Sequence, residues 1–114
     1  MKVNLHIKLN ASEPLDIKVK GIKKDNYYIY YENDIKVSIY YSDDNINIIR
    51  ECNDYKIDLK FKKNEKSVST YSVFGGTKVF ELNTKNTKMN VKKDRIEIDY
   101  EIDDEKFKYV LEVI

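Results

Sequence analysis

The sequence predicts an all-β fold, an antiparallel up-and-down meander that closes into a barrel. Three observations predict it. Apolar and polar residues alternate with a period of two along most of the chain, the connections are short, and no window of about a dozen residues repeats its apolar positions at helical spacing. At 114 residues the chain has the size of one domain, so we expect residues 1–114 to form a single barrel.

The alternation defines the strands in order. In residues 3–9, Val3 and Leu5 alternate with Asn4 and His6, and residues 15–19 repeat the pattern before Gly21, which suggests a bulge or bend. An aromatic stretch at 27–32 and residues 35–41 follow, then residues 46–52 and 55–61. The remaining predicted strands are 68–74, 77–84, 87–92, 95–102 and 107–114.

The connections predict how these strands pair. Asn33-Asp34, Asn53-Asp54 and Lys93-Asp94 have the composition of two-residue hairpin turns, in which Asn and Asp tolerate a positive φ. A Greek key requires a long connection back to the first strand, and the sequence offers none. Each strand is therefore expected to pair with its neighbours in sequence. Closing about eleven strands into a barrel removes the two exposed edges of an open sheet.

The tight turns also predict which side chains share a face. A turn at 33–34 places Tyr30 opposite Val37, and a turn at 53–54 places Arg50 opposite Ile57. The turn at 93–94 predicts the register of its two strands in the same way. In each hairpin the apolar residues fall on one face, which we assign to the barrel interior.

Charge and leader patterns exclude several classes of protein. Charged residues make up 36% of the chain but balance at a net charge of +1, which argues against a nucleic-acid or anionic-membrane partner. The longest apolar run, residues 27–31, is far shorter than the roughly 20 residues of a membrane helix. Because no apolar leader follows Met1 and Cys52 is the single cysteine, we expect a cytoplasmic protein without an internal disulfide.

Arg50 interrupts the apolar pattern of the interior face. An arginine there must be paired with an acid or solvated in a cavity, since an unpaired buried charge is very costly. Glu32 reaches the same face at a strand end, and Glu81 can face either way. A structural ion pair, an anchor for an anionic or polar ligand in the lumen and a position at the rim all fit the sequence. An open cavity lined by Arg50 favours the ligand, whereas a packed interior with Arg50 paired to Glu32 or Glu81 argues against it.

Tyrosines fall on both faces of the predicted strands. The inward set can fill a small barrel together with Phe61 and Phe107, and it consists of Tyr28, Tyr30, Tyr41, Tyr55, Tyr100 and Tyr109. Within that set, Tyr28 and Tyr55 join Arg50 and Glu32 as the candidate ligand site. The outer face carries Tyr27, Ile29, Tyr31 and Tyr40, which suggest a partner or homodimer contact. The preference of tyrosine for strands explains the same outer pattern without a partner.

The sequence contains no recognisable catalytic, cofactor or metal site. His6 lies on the polar face of the first strand and Cys52 at a strand end, neither in a ligand cluster or a Ser/His/Asp arrangement. The acidic stretch 97–105 alternates with apolar residues, which predicts a solvated outer face and a turn. We expect a non-enzymatic protein without cofactor or metal.

Several segments along the chain carry a family resemblance. They are Ile48-Ile49-Arg50, Leu59-Lys60-Phe61, Thr70-Tyr71 through Phe74-Gly75, and Gly21 with Tyr30-Tyr31-Glu32. In these segments the chain resembles the YwiB-like family, small bacterial proteins with a lipocalin-like, calycin-type barrel. It departs from the family pattern where Ser72-Val73 replace Thr-Pro and Gly76 is added. The resemblance implies a barrel of about eight to ten strands and implies no activity.

The expected function is therefore binding. Our leading hypothesis is a small amphipathic or anionic molecule held at the barrel mouth near Arg50. The alternative is a protein-interaction or homodimerisation module that uses the outer tyrosine face and has a packed interior.

Overall fold

Ten antiparallel strands follow one another along the chain, with a single short 3-10 turn at Phe74–Gly76. The structure is a computed structural model that describes residues 1–114 apart from the side chains of Phe74 and Thr87. The aromatic side chain of the Phe74-Gly75 pair noted in the sequence therefore lies outside the described residues. The strands are β1 (Lys2–Asn10), β2 (Leu15–Lys24), β3 (Tyr27–Glu32), β4 (Ile35–Tyr41), β5 (Asn45–Glu51), β6 (Tyr55–Lys62), β7 (Lys66–Val73), β8 (Lys78–Lys92), β9 (Arg95–Ile102) and β10 (Glu105–Val113).

The strands form a closed barrel in which each pairs with its neighbours in sequence. Pairing of β1 with β10, from Leu5↔Val113 to Asn10↔Lys108, closes the ring. The predicted meander barrel is confirmed, and so are the registers Tyr30↔Val37 and Arg50↔Ile57. Positive φ angles at Asn33 (54°) and Asp94 (62°) fit the predicted chemistry of two of the three hairpin turns, whereas Asn53-Asp54 turns without a positive φ.

The prediction of two separate strands at 77–84 and 87–92 is wrong. Both belong to β8, a strand of 15 residues whose register against β9 shifts between Asn86 and Lys88. The shift changes which alternate residues face the interior, because one extra residue is accommodated on β8. The apolar pattern therefore breaks although the strand continues.

Gly21 allows a close approach inside the barrel and does not mark a bulge. The register of β2 against β1 runs unbroken from Lys2↔Ile22 to Leu9↔Leu15. A Cβ atom on Gly21 would lie 2.7 Å from the Ile29 carbonyl oxygen and 2.7 Å from Leu5 Cδ1. Glycine is required here because backbone and side chain neighbours leave no room for a larger residue.

The inward-facing side chains form one packed core. Its fully buried members include Tyr28, Tyr30 and Phe61, and the ring centroids of Phe61 and Tyr100 are 4.7 Å apart. Several clefts of 300 to 570 Å³ open on the described surface, and these lie away from Arg50 and Glu32.

Candidate functional site

Arg50 lies near the end of β5 and forms an ion pair with Glu32 at the end of β3. Strand β4 separates them, and its Val37 pairs with Arg50 on one side and with Tyr30 on the other. Arg50 Nη1 donates to Glu32 Oε1 at 3.0 Å, and Nη2 donates to Oε2 at 2.6 Å. This two-fold contact is the strongest geometry available to an arginine and a carboxylate. Glu81 pairs with Thr70 on the outer face and does not take part.

The pair is largely withdrawn from solvent. The side chain of Arg50 is 25% exposed and that of Glu32 is 11% exposed. Burial acts to lower the pKa of Arg50, but the hydrogen bond and charge of Glu32 act against it, and the pKa is raised. Arg50 is therefore held as a cation whose charge is already neutralised, the arrangement that argues against a ligand in the lumen.

Buried tyrosines extend this polar cluster into the core. The hydroxyl groups of Tyr30 and Tyr109 share a hydrogen bond of 2.8 Å in the interior. Burial raises the pKa of both phenols, and it raises the pKa of Tyr100 to about 12. These hydroxyls stay protonated at neutral pH, and those of Tyr30 and Tyr109 satisfy each other.

Two of the residues predicted beside Arg50 have different surroundings. Tyr55 lies close enough for its phenol to raise the pKa of Arg50. Tyr28 lies four positions before Glu32 on β3, about 13 Å away along the strand. Its ring stacks on Tyr41 at 5.5 Å, and Lys23 Nζ lies 5.5 Å from its centroid. Tyr28 therefore closes the opposite end of the barrel.

An aromatic row borders the mouth next to Arg50. Ring centroids are 6.0 Å apart for Tyr55 and Tyr71, and 6.1 Å apart for Tyr71 and Phe80. Cross-strand pairing puts Tyr71 opposite both Ile57 and Phe80, on the face that carries the core. Phe80 is nevertheless half exposed, so the inner face of the β7–β8 hairpin reaches solvent at this rim.

The predicted outer tyrosines share one face of β3 and β4. Tyr27 pairs with Tyr40, their ring centroids 5.3 Å apart, and Ile29 pairs with Ser38. Tyr31 is 56% exposed and Tyr40 is 41% exposed. These side chains form a broad surface that solvent, and thus a partner, can reach.

Lysines surround this aromatic surface, whereas the sequence shows only that lysines are interleaved with tyrosines along the strands. The outward positions of β1, β2 and β4 supply Lys2, Lys8, Lys18, Lys20, Lys24 and Lys36. Among the described outward side chains of β1–β4, the carboxylate is that of Asp16, whose Oδ1 lies 2.6 Å from His6 Nε2. In the sequence, the alternation Lys18-Val19-Lys20 on a half-buried strand indicates that these lysines point outward. We call the surface formed by Lys2, Lys18, Lys20, Ile22, Lys24, Tyr27, Ile29, Tyr31, Lys36 and Tyr40 the lysine–tyrosine face.

On the outer face of β8, β9 and β10, several cations are matched by acids. On the outer face of β9, Glu97 contacts Arg95 at 2.8 Å, Lys108 at 3.2 Å and Lys88 at 3.4 Å. These hydrogen bonds, that of Arg95 foremost, lower the pKa of Glu97 to about 2. Glu97 is only 6% exposed, so the expectation of a solvated acidic stretch is wrong at this residue. Its neighbours cover it because they project from β8 and β10 on either side.

Metal and membrane features add little to the description. The described side chains contain no group of three or more His, Cys, Asp or Glu residues that could hold a metal ion. In the described part of the chain, no helix has the length and apolar character needed to cross a membrane.

Comparisons with known proteins agree with the fold. The model of the family described as "Domain of unknown function (DUF1934)" matches residues 4–110. Among solved structures, the crystal structure of ywiB protein from Bacillus subtilis matches with a TM-score of 0.72 and 20% sequence identity, covering 99% of this chain and 92% of that chain. The likeness confirms the resemblance to YwiB-like proteins at the level of the barrel fold. A search of curated proteins finds no match.

Proposed function

This chain belongs to the family described as Domain of unknown function (DUF1934), and we propose that it is a binding protein that holds an anionic partner on the lysine–tyrosine face. One observation carries the proposal. Adjacent strands gather exposed lysines around half-exposed aromatic rings, while the described carboxylate on their outward face, Asp16, is bound to His6. The charge of such a surface attracts anions, and its rings supply contact area.

The arrangement of charges favours an anionic partner over a second copy of the chain. A two-fold symmetric contact brings the same patch of each copy together. It would bring two lysine-rich faces together, and like charges in contact are unfavourable. We therefore assign the tyrosines and the lysines to contacts with one anionic partner.

Retention on heparin-agarose tests this proposal with a defined polyanion. We expect the wild type to be retained and to elute with salt, and Lys20→Glu/Lys24→Glu to elute early. The matched control is Lys60→Glu/Lys62→Glu, which makes the same charge change at exposed outward positions of β6. Equal early elution of the two variants would show that only net charge matters and would overturn the proposal. Sedimentation of the wild type against Tyr27→Ser/Tyr40→Ser tests the homodimer, which we expect to be absent.

A small ligand at the barrel mouth is the second candidate. The observation in its favour is the rim, where the partly exposed guanidinium of Arg50 lies beside Tyr55 and ring contacts lead from Tyr55 through Tyr71 to the half-exposed Phe80. An amphipathic anion could contact that guanidinium without entering the packed core.

Native mass spectrometry of protein purified from its own host tests this second candidate. A retained small molecule that is lost in Phe80→Ser and kept in Tyr31→Ser supports a site at the mouth. The two side chains are similarly exposed, so the fold is unaffected by either change. A wild-type mass equal to that of the bare chain removes the candidate.

A further inference from the structure

We propose that the partner on the lysine–tyrosine face is a single-stranded nucleic acid, with phosphates on the lysines and bases on the tyrosine rings. The inference rests on the proposed function, because it names the chemistry of the partner at that same surface. Proteins that bind single strands without reading sequence combine a cationic path with aromatic rings on which bases stack. The face offers each of these parts.

The first part is a cleft where β2 and β3 separate. These strands pair from Gly21↔Tyr30 to Lys24↔Tyr27, and the pairing does not continue to Lys20 and Tyr31. The cleft that remains has a volume of about 540 Å³, and Lys2, Lys20 and Tyr31 line it. A cation and a largely exposed ring therefore border one opening, as a nucleotide with its phosphate and base requires.

The second part is an aromatic platform at the other end of β3. Tyr27 and Tyr40 contact each other with centroids 5.3 Å apart and planes tilted by 36°. Four positions along β3 separate Tyr27 from Tyr31, which is about 13 Å. Ile22 and Ile29, paired across β2 and β3, lie between the two ring positions. Separate rings joined by an aliphatic floor suit successive unstacked bases.

The third part is the segregation of charge. The net charge of +1 conceals it, because many carboxylates lie on the other strands, where Glu97 alone contacts three cations. On the lysine–tyrosine face, Lys2, Lys20 and Lys24 form no ion pair among the described residues and are exposed. Asp25 and Asp34 lie in the turns that border the face. Unpaired lysines remain free to contact phosphates and release their counterions.

The exposed rings favour a single strand over other anions. In a duplex the faces of the bases are hidden by stacking, so Tyr31 and Tyr40 would have no ring to contact. An acidic peptide would neutralise the lysines but leave the rings unused. Unstacked bases on a phosphate backbone use the cations and the rings together.

Fluorescence anisotropy provides the test, with a labelled single-stranded RNA of about 12 nucleotides as the probe. We expect binding to the single strand and at least about five-fold weaker binding to a duplex of the same length. Tyr31→Leu is expected to weaken binding by about five-fold or more, because it removes a stacking ring and keeps apolar bulk. Phe80→Leu is the matched control, an equally exposed ring away from the face, and should leave binding unchanged.

The lysines are tested by the salt dependence of the same binding. Lys20→Ala should reduce the slope of log affinity against log salt by about 0.7, the value for one phosphate contact on a single strand. Lys60→Ala should leave it unchanged. Binding of duplex equal to single strand, or equal loss in Tyr31→Leu and Phe80→Leu, would overturn the inference. Retention on heparin without any binding of RNA would also overturn it, while leaving the proposed function intact.

Discussion

Arg50 and Glu32 meet at one end of the barrel through two parallel hydrogen bonds of 3.0 and 2.6 Å. The contact explains why an arginine occupies the apolar face of β5. It also removes Arg50 as a free anchor for a ligand in the lumen, and so directs attention to the outer surface.

Breaking the Arg50–Glu32 pair from one side should destabilise the protein. Glu32→Gln leaves a partly buried guanidinium without its counter-charge, so we expect a loss of about 2–4 kcal/mol in the free energy of unfolding. The double variant Arg50→Met/Glu32→Gln removes the charges together and should lie within about 1 kcal/mol of the wild type. Urea unfolding of the wild type, Glu32→Gln, Arg50→Met and the double variant completes the cycle and measures both values. A fully additive double variant would show that the two residues do not act as a pair.

The Tyr30–Tyr109 hydrogen bond makes a second prediction. Tyr109→Phe leaves the buried Tyr30 hydroxyl without its partner and should cost about 1–3 kcal/mol. Replacing both tyrosines by phenylalanine should cost less than the sum of the single changes, because neither unsatisfied hydroxyl remains. Thermal or urea unfolding of the double-mutant cycle checks this, and strict additivity would contradict a shared hydrogen bond.

Gly21→Ala should destabilise the barrel by about 1–3 kcal/mol, because the new methyl group overlaps the Ile29 carbonyl and Leu5. Gly75→Asn is the matched control. A Cβ atom at Gly75 meets nothing within 4 Å, and asparagine tolerates its positive φ of 64°. We expect a loss under about 1 kcal/mol for this control. A loss in Gly21→Ala no larger than that in Gly75→Asn would show that the contacts with Ile29 and Leu5 do not exclude a larger residue at position 21.

Acid should weaken the protein through Glu97. Its folded pKa of about 2 lies below its ordinary value of 4.5, so its contribution to stability is fully present above about pH 4.5 and is lost as pH falls towards 2. Glu97→Gln should therefore lower stability at neutral pH and flatten the pH dependence between those values. Urea unfolding from pH 7 to pH 2 gives the comparison. If Glu97→Gln keeps the full wild-type dependence of stability on pH, that dependence arises from other residues.

Turn chemistry made much of the fold predictable. Because Asn33 and Asp94 accept positive φ in tight turns, the registers of their hairpins followed from the sequence, and these registers separated inside from outside. The length of β8 could not be read from alternation. The register shift between Asn86 and Lys88 reverses the pattern inside a continuous strand, and a reversed pattern resembles a strand boundary.

The site was predictable in part. Register placed Arg50 and Glu32 on one face near strand ends, and they meet there. Residues that share a face of the sheet can still lie far apart. Tyr28 lies at the opposite end of β3 from Glu32. The sequence prediction used the net charge of the whole chain, whereas the barrel distributes the charges unevenly over its surface. The pairing of β1 with β2 brings Lys2 beside Lys20 and Ile22, and this pairing had to be known before the charged face could be recognised.

The lysine–tyrosine face, and not the barrel mouth, is the proposed site of the partner. An NMR titration of the isotope-labelled protein with a short heparin oligosaccharide distinguishes the two sites, because each backbone amide reports its own surroundings. We expect the largest shifts at Lys20, Ile22 and Tyr31, with Arg50 and Tyr55 unchanged. Largest shifts at Arg50 and Tyr55 would contradict it.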